Sequence, residues 1–141
     1  MSFREKFAWL SLIAMALTYG PYFTMVAVTD PPADTPNLGL LGLFAATTIV
    51  QMIILLSGRF ILTLRAPQDA RAPADERDRA IERRASLAAY YVLMSGTVLA
   101  GVFMPFVTSG WRIVNVALAA IVAAEVVRYG LIAAGYRRSL A

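Results

Sequence analysis

The 141-residue chain contains no cysteine and no histidine. Disulfides, thiol nucleophiles, iron–sulfur ligation, His-ligated haem and zinc sites built on Cys or His are therefore excluded. No cofactor and no metal is expected. Charge is scarce too: 16% of residues are Asp, Glu, Lys or Arg, against about 25% in an ordinary soluble domain. Hydrophobic residues fill the space at 59%, against roughly 45–50%. A soluble chain this short has too little interior to hide so much apolar surface. The length allows a single domain over 1–141, and the composition makes lipid its solvent.

Four segments carry the apolar residues. Phe7 to Thr29 and Leu38 to Gly58 contain no charge, and the second pattern continues past Arg59 to Leu64. Ala85 to Trp111 contains none, and Ile113 to Tyr136 is apolar apart from Glu125 and Arg128. A spanning helix needs roughly 20 apolar residues, and backbone facing lipid must satisfy its own hydrogen bonds. The expected fold is an all-α membrane protein, a four-transmembrane-helix bundle. Its spans are expected at 7–28, 38–64, 85–108 and 112–136, with a cytoplasmic loop at 65–84. No segment alternates as an outer-membrane barrel strand would. The first segment is longer than a signal-peptide core, and it carries Tyr19, Pro21 and Tyr22 with no small-residue cleavage site after it. It reads as a retained helix.

The connections set the orientation. Arg4 and Lys6 in the N-terminal tail, six arginines between Arg65 and Arg84, and Arg137 with Arg138 at the C-terminus put ten basic residues on one side. The other side has Arg112 alone. The positive-inside rule then predicts both termini and the long loop in the cytoplasm. The net charge of +4 is thereby a topology signal. A basic groove interleaved with aromatics on a soluble face is missing, so no nucleic-acid partner is expected. Loop 29–37 holds three prolines and should be short and stiff, and the turn at Thr108–Gly110 should make the last two helices antiparallel neighbours. Trp9 and Trp111 fall near opposite ends, as interfacial aromatics do.

The cytoplasmic loop divides at Pro73. Residues 66–74 read as a flexible linker, and the run from Asp75 contains no helix breaker. Asp75 is an N-cap candidate, Glu76 and Asp78 suit the first turn, and Asp75–Arg79 and Arg79–Glu82 have ion-pair spacing. One continuous helix is predicted over 75–107, so the third helix extends beyond the bilayer. Asp75, Glu76, Arg77, Asp78 and Arg79 form a candidate docking segment for a membrane-protein partner. Arg83 and Arg84 lie where anionic lipid headgroups sit. Arginines alternating with the acids argue against a cation site. The string DERDRAIERRASLAAYYVL at 75–93, set between the second and third of four spans, resembles a group of small uncharacterised four-helix bacterial inner-membrane proteins. In these a DERD-type run leads into the third helix. The resemblance implies a multi-pass location in the bacterial inner membrane and brings no catalytic residues.

Within the spans, Glu125 carries the most information. A charge at mid-bilayer costs about 2.5–3.5 kcal/mol on insertion scales. Arg128, three residues on, can neutralise it, or burial can keep it protonated. Gln51 lies at similar depth, and the two are expected to face each other in the bundle interior. Arg59 should snorkel toward the interface. Gly42–Ala46, Gly96–Ala100 and Ala120–Ala124 permit close helix contacts, in the bundle or in a homodimer. Pro21 and Pro105 should kink their helices. Membrane hydrolysis needs a nucleophile with a base or paired carboxylates, so no enzyme is expected. Two functions stand: a non-catalytic accessory or regulatory subunit whose helix extension docks a partner or lipid, and a small oligomeric transporter working through Glu125.

Overall fold

The computed structural model describes residues 2–30, 32 and 37–138. Among these the regular elements are all helices: α1 (Phe3–Thr29), α2 (Leu38–Arg65), α3 (Pro67–Arg71), α4 (Glu76–Val107) and α5 (Trp111–Arg138). Four of them are long and apolar enough to cross a membrane, an architecture compatible with a transmembrane helical bundle.

The helix ends follow local chemistry. The Ser2 hydroxyl accepts the Glu5 N–H at 3.3 Å and starts α1. Asp30 closes that helix in the left-handed region, φ 36°, its N–H donating to the Val26 carbonyl. Asn37 accepts the Leu40 N–H at 3.0 Å and starts α2. Asp75 caps α4 as the sequence predicts, and the cap is reciprocal. Its carboxylate accepts the Asp78 N–H at 2.6 Å, and the Asp78 carboxylate accepts the Asp75 N–H at 3.4 Å. Such a capping box satisfies two donors that the first turn leaves free. The predicted 75–107 helix is observed as 76–107. Gly110, at φ 59°, makes the tight turn into α5, where a Cβ would be strained.

Pro105 acts through a widened turn. Residues Leu99–Phe103 form a π-helical stretch in α4, with the Met104 N–H donating to the Leu99 carbonyl. The wider turn accommodates a ring that would otherwise press on the carbonyl of Gly101. The linker expectation at 66–74 needs correction: Pro67–Arg71 forms a short helix. Pro67 stands in its first turn, where a missing N–H costs nothing and the fixed φ suits the helix. The expected stiffness of loop 29–37 rests on Pro31, Pro32 and Pro36, of which Pro31 and Pro36 lie outside the described residues.

The long helices form a row of neighbours. The first, α1, packs against α2 on one side and α5 on the other, and α5 packs against α4. No comparable interface joins α2 to α4 or α5, so the bundle is open between α2 and α4. Its interior is rich in small residues: Ala8, Ala14, Ala85, Ala89, Ala100, Ala124 and Ala133 are buried, with Met15, Tyr22, Leu40, Trp111 and Tyr136 among them. Many large apolar side chains point outward, with Phe106 90% and Leu17 70% exposed. This is the reverse of a water-soluble core and suits a lipid surround, in which close backbone packing replaces the hydrophobic effect. One close crossing is α4 on α5, where a Cβ added to Gly96 would stand 2.3 Å from the Ala120 Cβ. Two of the three small-residue pairs thus face each other there. Gly42, of the third pair, meets nothing within 4 Å. Trp111, at the start of α5, is buried and packs in the bundle.

Candidate functional site

The polar side chains of the spans fall into separate layers. Many hydroxyls donate to their own helix: Ser11 to the Phe7 carbonyl, Thr47 to Leu43, Ser57 to Ile53, Thr97 to Leu93. These bonds satisfy groups that lipid cannot. Gln51 is 4% exposed on the stripe of α2 that faces α1, and its Oε1 accepts the Thr18 hydroxyl at 2.8 Å. The Tyr19 hydroxyl donates to Thr48 one turn on, at 3.3 Å. Further along, the Tyr22 hydroxyl donates to the Asn115 side chain of α5 at 3.2 Å. At the far end the Arg112 guanidinium holds both Asp30 oxygens at 3.0 Å.

The expected pairing of Gln51 with Glu125 does not form. Gln51 serves the α1–α2 seam, and α2 does not pack substantially on α5. Glu125 instead lies 3.8 Å from Arg128, the neighbour that sequence spacing offered it. Arg128 also reaches Glu82 of α4 at 3.6 Å, a contact between helices that sequence spacing could not indicate. The Glu125 side chain is 44% exposed. It is a paired flank group rather than a carboxylate sealed in the interior.

The richest site is at the end that carries both termini, here called the basic end. Asp78 is its hub. Besides capping α4, its carboxylate accepts the Tyr136 hydroxyl at 2.5 Å and lies 3.4 Å from the Arg4 Nε. One side chain thereby ties α4 to α1 and α5. Arg77 stands 6.0 Å over the Tyr136 ring and Arg137 4.7 Å over Trp9, within cation–π range. Beside the hub lies a cavity of about 350 Å³ bounded by all five helices. Arg4, Arg59 and Arg128 line it, together with Asp69, Asp78 and Glu82 and the rings of Phe7, Tyr129 and Tyr136.

The docking segment is therefore divided. Asp75 and Asp78 are engaged in the cap and the hub, while Glu76, Arg77 and Arg79 are exposed. The expected Asp75–Arg79 and Arg79–Glu82 pairs are absent from the ion pairs within 4 Å, because Asp75 holds the cap and Glu82 turns to Arg128. Arg83 and Arg84 are exposed on α4. Among the described residues, Arg79, Arg83 and Arg84 take part in no ion pair. Sequence reading missed Tyr136 and Glu82 as bridging groups and gave Arg4 only a topological role. The signal available for Tyr136 was its helical spacing from Arg128, Tyr129 and Ile132, which places all four on one face of α5. Glu5 was also missed: it is 3% exposed in the first turn of α1, where the helix dipole favours an acid.

No protein-family model matches this chain, and comparisons with curated proteins and with solved structures find no match.

Proposed function

We propose that the chain is a non-catalytic multi-pass protein of a bacterial inner membrane, an accessory or regulatory subunit. Its basic end faces the cytoplasm, in accord with the ten-to-one distribution of basic residues. The observation that carries this reading is the held extension of α4. Asp78 fastens the helix start to Arg4 and Tyr136, while Arg79, Arg83 and Arg84 remain exposed and outside any ion pair among the described residues. A rigid element presenting unpaired guanidiniums suits an acidic partner surface or anionic headgroups. The transporter reading is weaker, because Gln51 serves the α1–α2 seam while Glu125 pairs with Arg128 on its own helix.

The experiment replaces Ala80 with a photo-crosslinking residue in native membranes. Illumination should give a discrete protein adduct, and reversing Arg77 and Arg79 to Glu should abolish it. Adducts unaffected by charge reversal would overturn the docking reading. Loss of proton-coupled uptake into liposomes in Glu125→Gln would establish the transporter in its place.

A further inference from the structure

The cavity at the basic end contains more charge than its internal pairs use. Arg4 lies against Asp78 at 3.4 Å and Arg128 against Glu82 at 3.6 Å. Arg59 of α2 and Asp69 of α3 line the same cavity, yet neither joins an ion pair within 4 Å among the described residues. Arg59 stands six residues before the end of α2, about 9 Å inside the helix terminus. From that depth its guanidinium can snorkel to the level where lipid phosphates sit. Asp69 presents a carboxylate in the connection between α2 and α4, on the rim of the same space.

We propose that this cavity binds the headgroup of one phospholipid in which a phosphate carries a primary ammonium. Arg59 takes the phosphate, as guanidinium geometry favours. Asp69 accepts hydrogen bonds from the ammonium. The acyl chains leave through the gap between α2 and α4, which no helix packing closes. The charges on the wall exclude the obvious competitors. Three arginines stand with three carboxylates, so a purely anionic headgroup would meet repulsion that a zwitterion avoids. A trimethylammonium group has no N–H to give Asp69. A volume near 350 Å³ lies at the small end of ligand sites, enough for a headgroup and not for a whole lipid. The site is separate from Arg83 and Arg84. It rests on the lipid-spanning reading but not on partner docking, so Arg59→Ala leaves the Ala80 cross-link in place.

The test is native mass spectrometry of the detergent-purified full chain with phosphatidylethanolamine, phosphatidylcholine and phosphatidylglycerol at equal concentration. One phosphatidylethanolamine per chain should be retained, about tenfold over either competitor, as expected for one added charge-assisted contact. Arg59→Ala should lower its retention about tenfold, the same arithmetic applied to the phosphate contact. Arg59→Lys should retain more lipid than Arg59→Ala. Asp69→Asn should bring phosphatidylethanolamine down to the phosphatidylcholine level, and Arg138→Ala should change nothing. Both tested side chains are exposed, and circular dichroism checks that each variant keeps its helices. Equal retention of the three lipids, or unchanged retention in Arg59→Ala, overturns the proposal. Displacement by free phosphoethanolamine at the same concentration overturns the lipid as the ligand.

Discussion

Asp78 combines three roles: it completes the cap of α4, accepts the Tyr136 hydroxyl and pairs with Arg4. Its side chain is 19% exposed, so these contacts are only partly screened by water. Losing a cap costs about 1 kcal/mol, and a hydrogen bond to a charged group contributes about 1.5–3 kcal/mol. Asp78→Ala should therefore lower stability by about 2–4 kcal/mol in a detergent unfolding titration. Arg79→Ala, on the exposed face of the same turn, should stay within about 0.5 kcal/mol. Equal effects would show that Asp78 is not a hub. Thr18→Val removes the donor to Gln51, and membrane interhelical bonds contribute about 0.6 kcal/mol on average. Its effect should be correspondingly small, which the same titration checks. The Arg112–Asp30 pair is well exposed on both sides. Arg112→Ala should cost no more than about 1 kcal/mol.

Residue identity was partly legible in the sequence. Asp75 as a cap and Glu125 beside Arg128 follow from spacing along one helix, and both are observed. Asp78 with Tyr136, Arg128 with Glu82 and Gln51 with Thr18 are contacts between helices. Each depends on which helices adjoin. These helices are apolar almost all round, so their sequences show no stripe to mark the buried face.

At the scale of elements, helix existence and length were the most legible features, because bilayer thickness fixes them. The long α4 follows from a run free of breakers between Pro73 and Pro105, and the π-helical turn at Leu99–Phe103 carries it on to Val107. The short α3 was hidden, since five residues give no periodicity and Pro67 reads as a breaker until its first-turn position is known. Packing of α4 on α5 turns on small side chains. Gly96→Val would drive methyl groups into Ala120, whose Cβ stands 2.3 Å from a Cβ built at Gly96. The overpacking should cost about 1–3 kcal/mol. Gly42→Val meets open space and should change stability by no more than about 0.5 kcal/mol. A reversed order of these two variants in unfolding titrations would contradict the seam described here.

For the whole molecule, the row α2–α1–α5–α4 leaves one side open and concentrates charge at one end. Composition and positive-inside counting anticipate four helices with ends of opposite character. They could not give the order of neighbours, which follows from the alanine and glycine seams in three dimensions.

The most direct test of the two-ended scheme uses the natural absence of cysteine. Ala72→Cys marks the basic end and Ser109→Cys the opposite turn. In right-side-out membranes, a maleimide that cannot cross the bilayer should label the position-109 variant at once. It should reach the position-72 variant only after the membrane is opened. Labelling of both from the same side of an intact membrane would contradict the account.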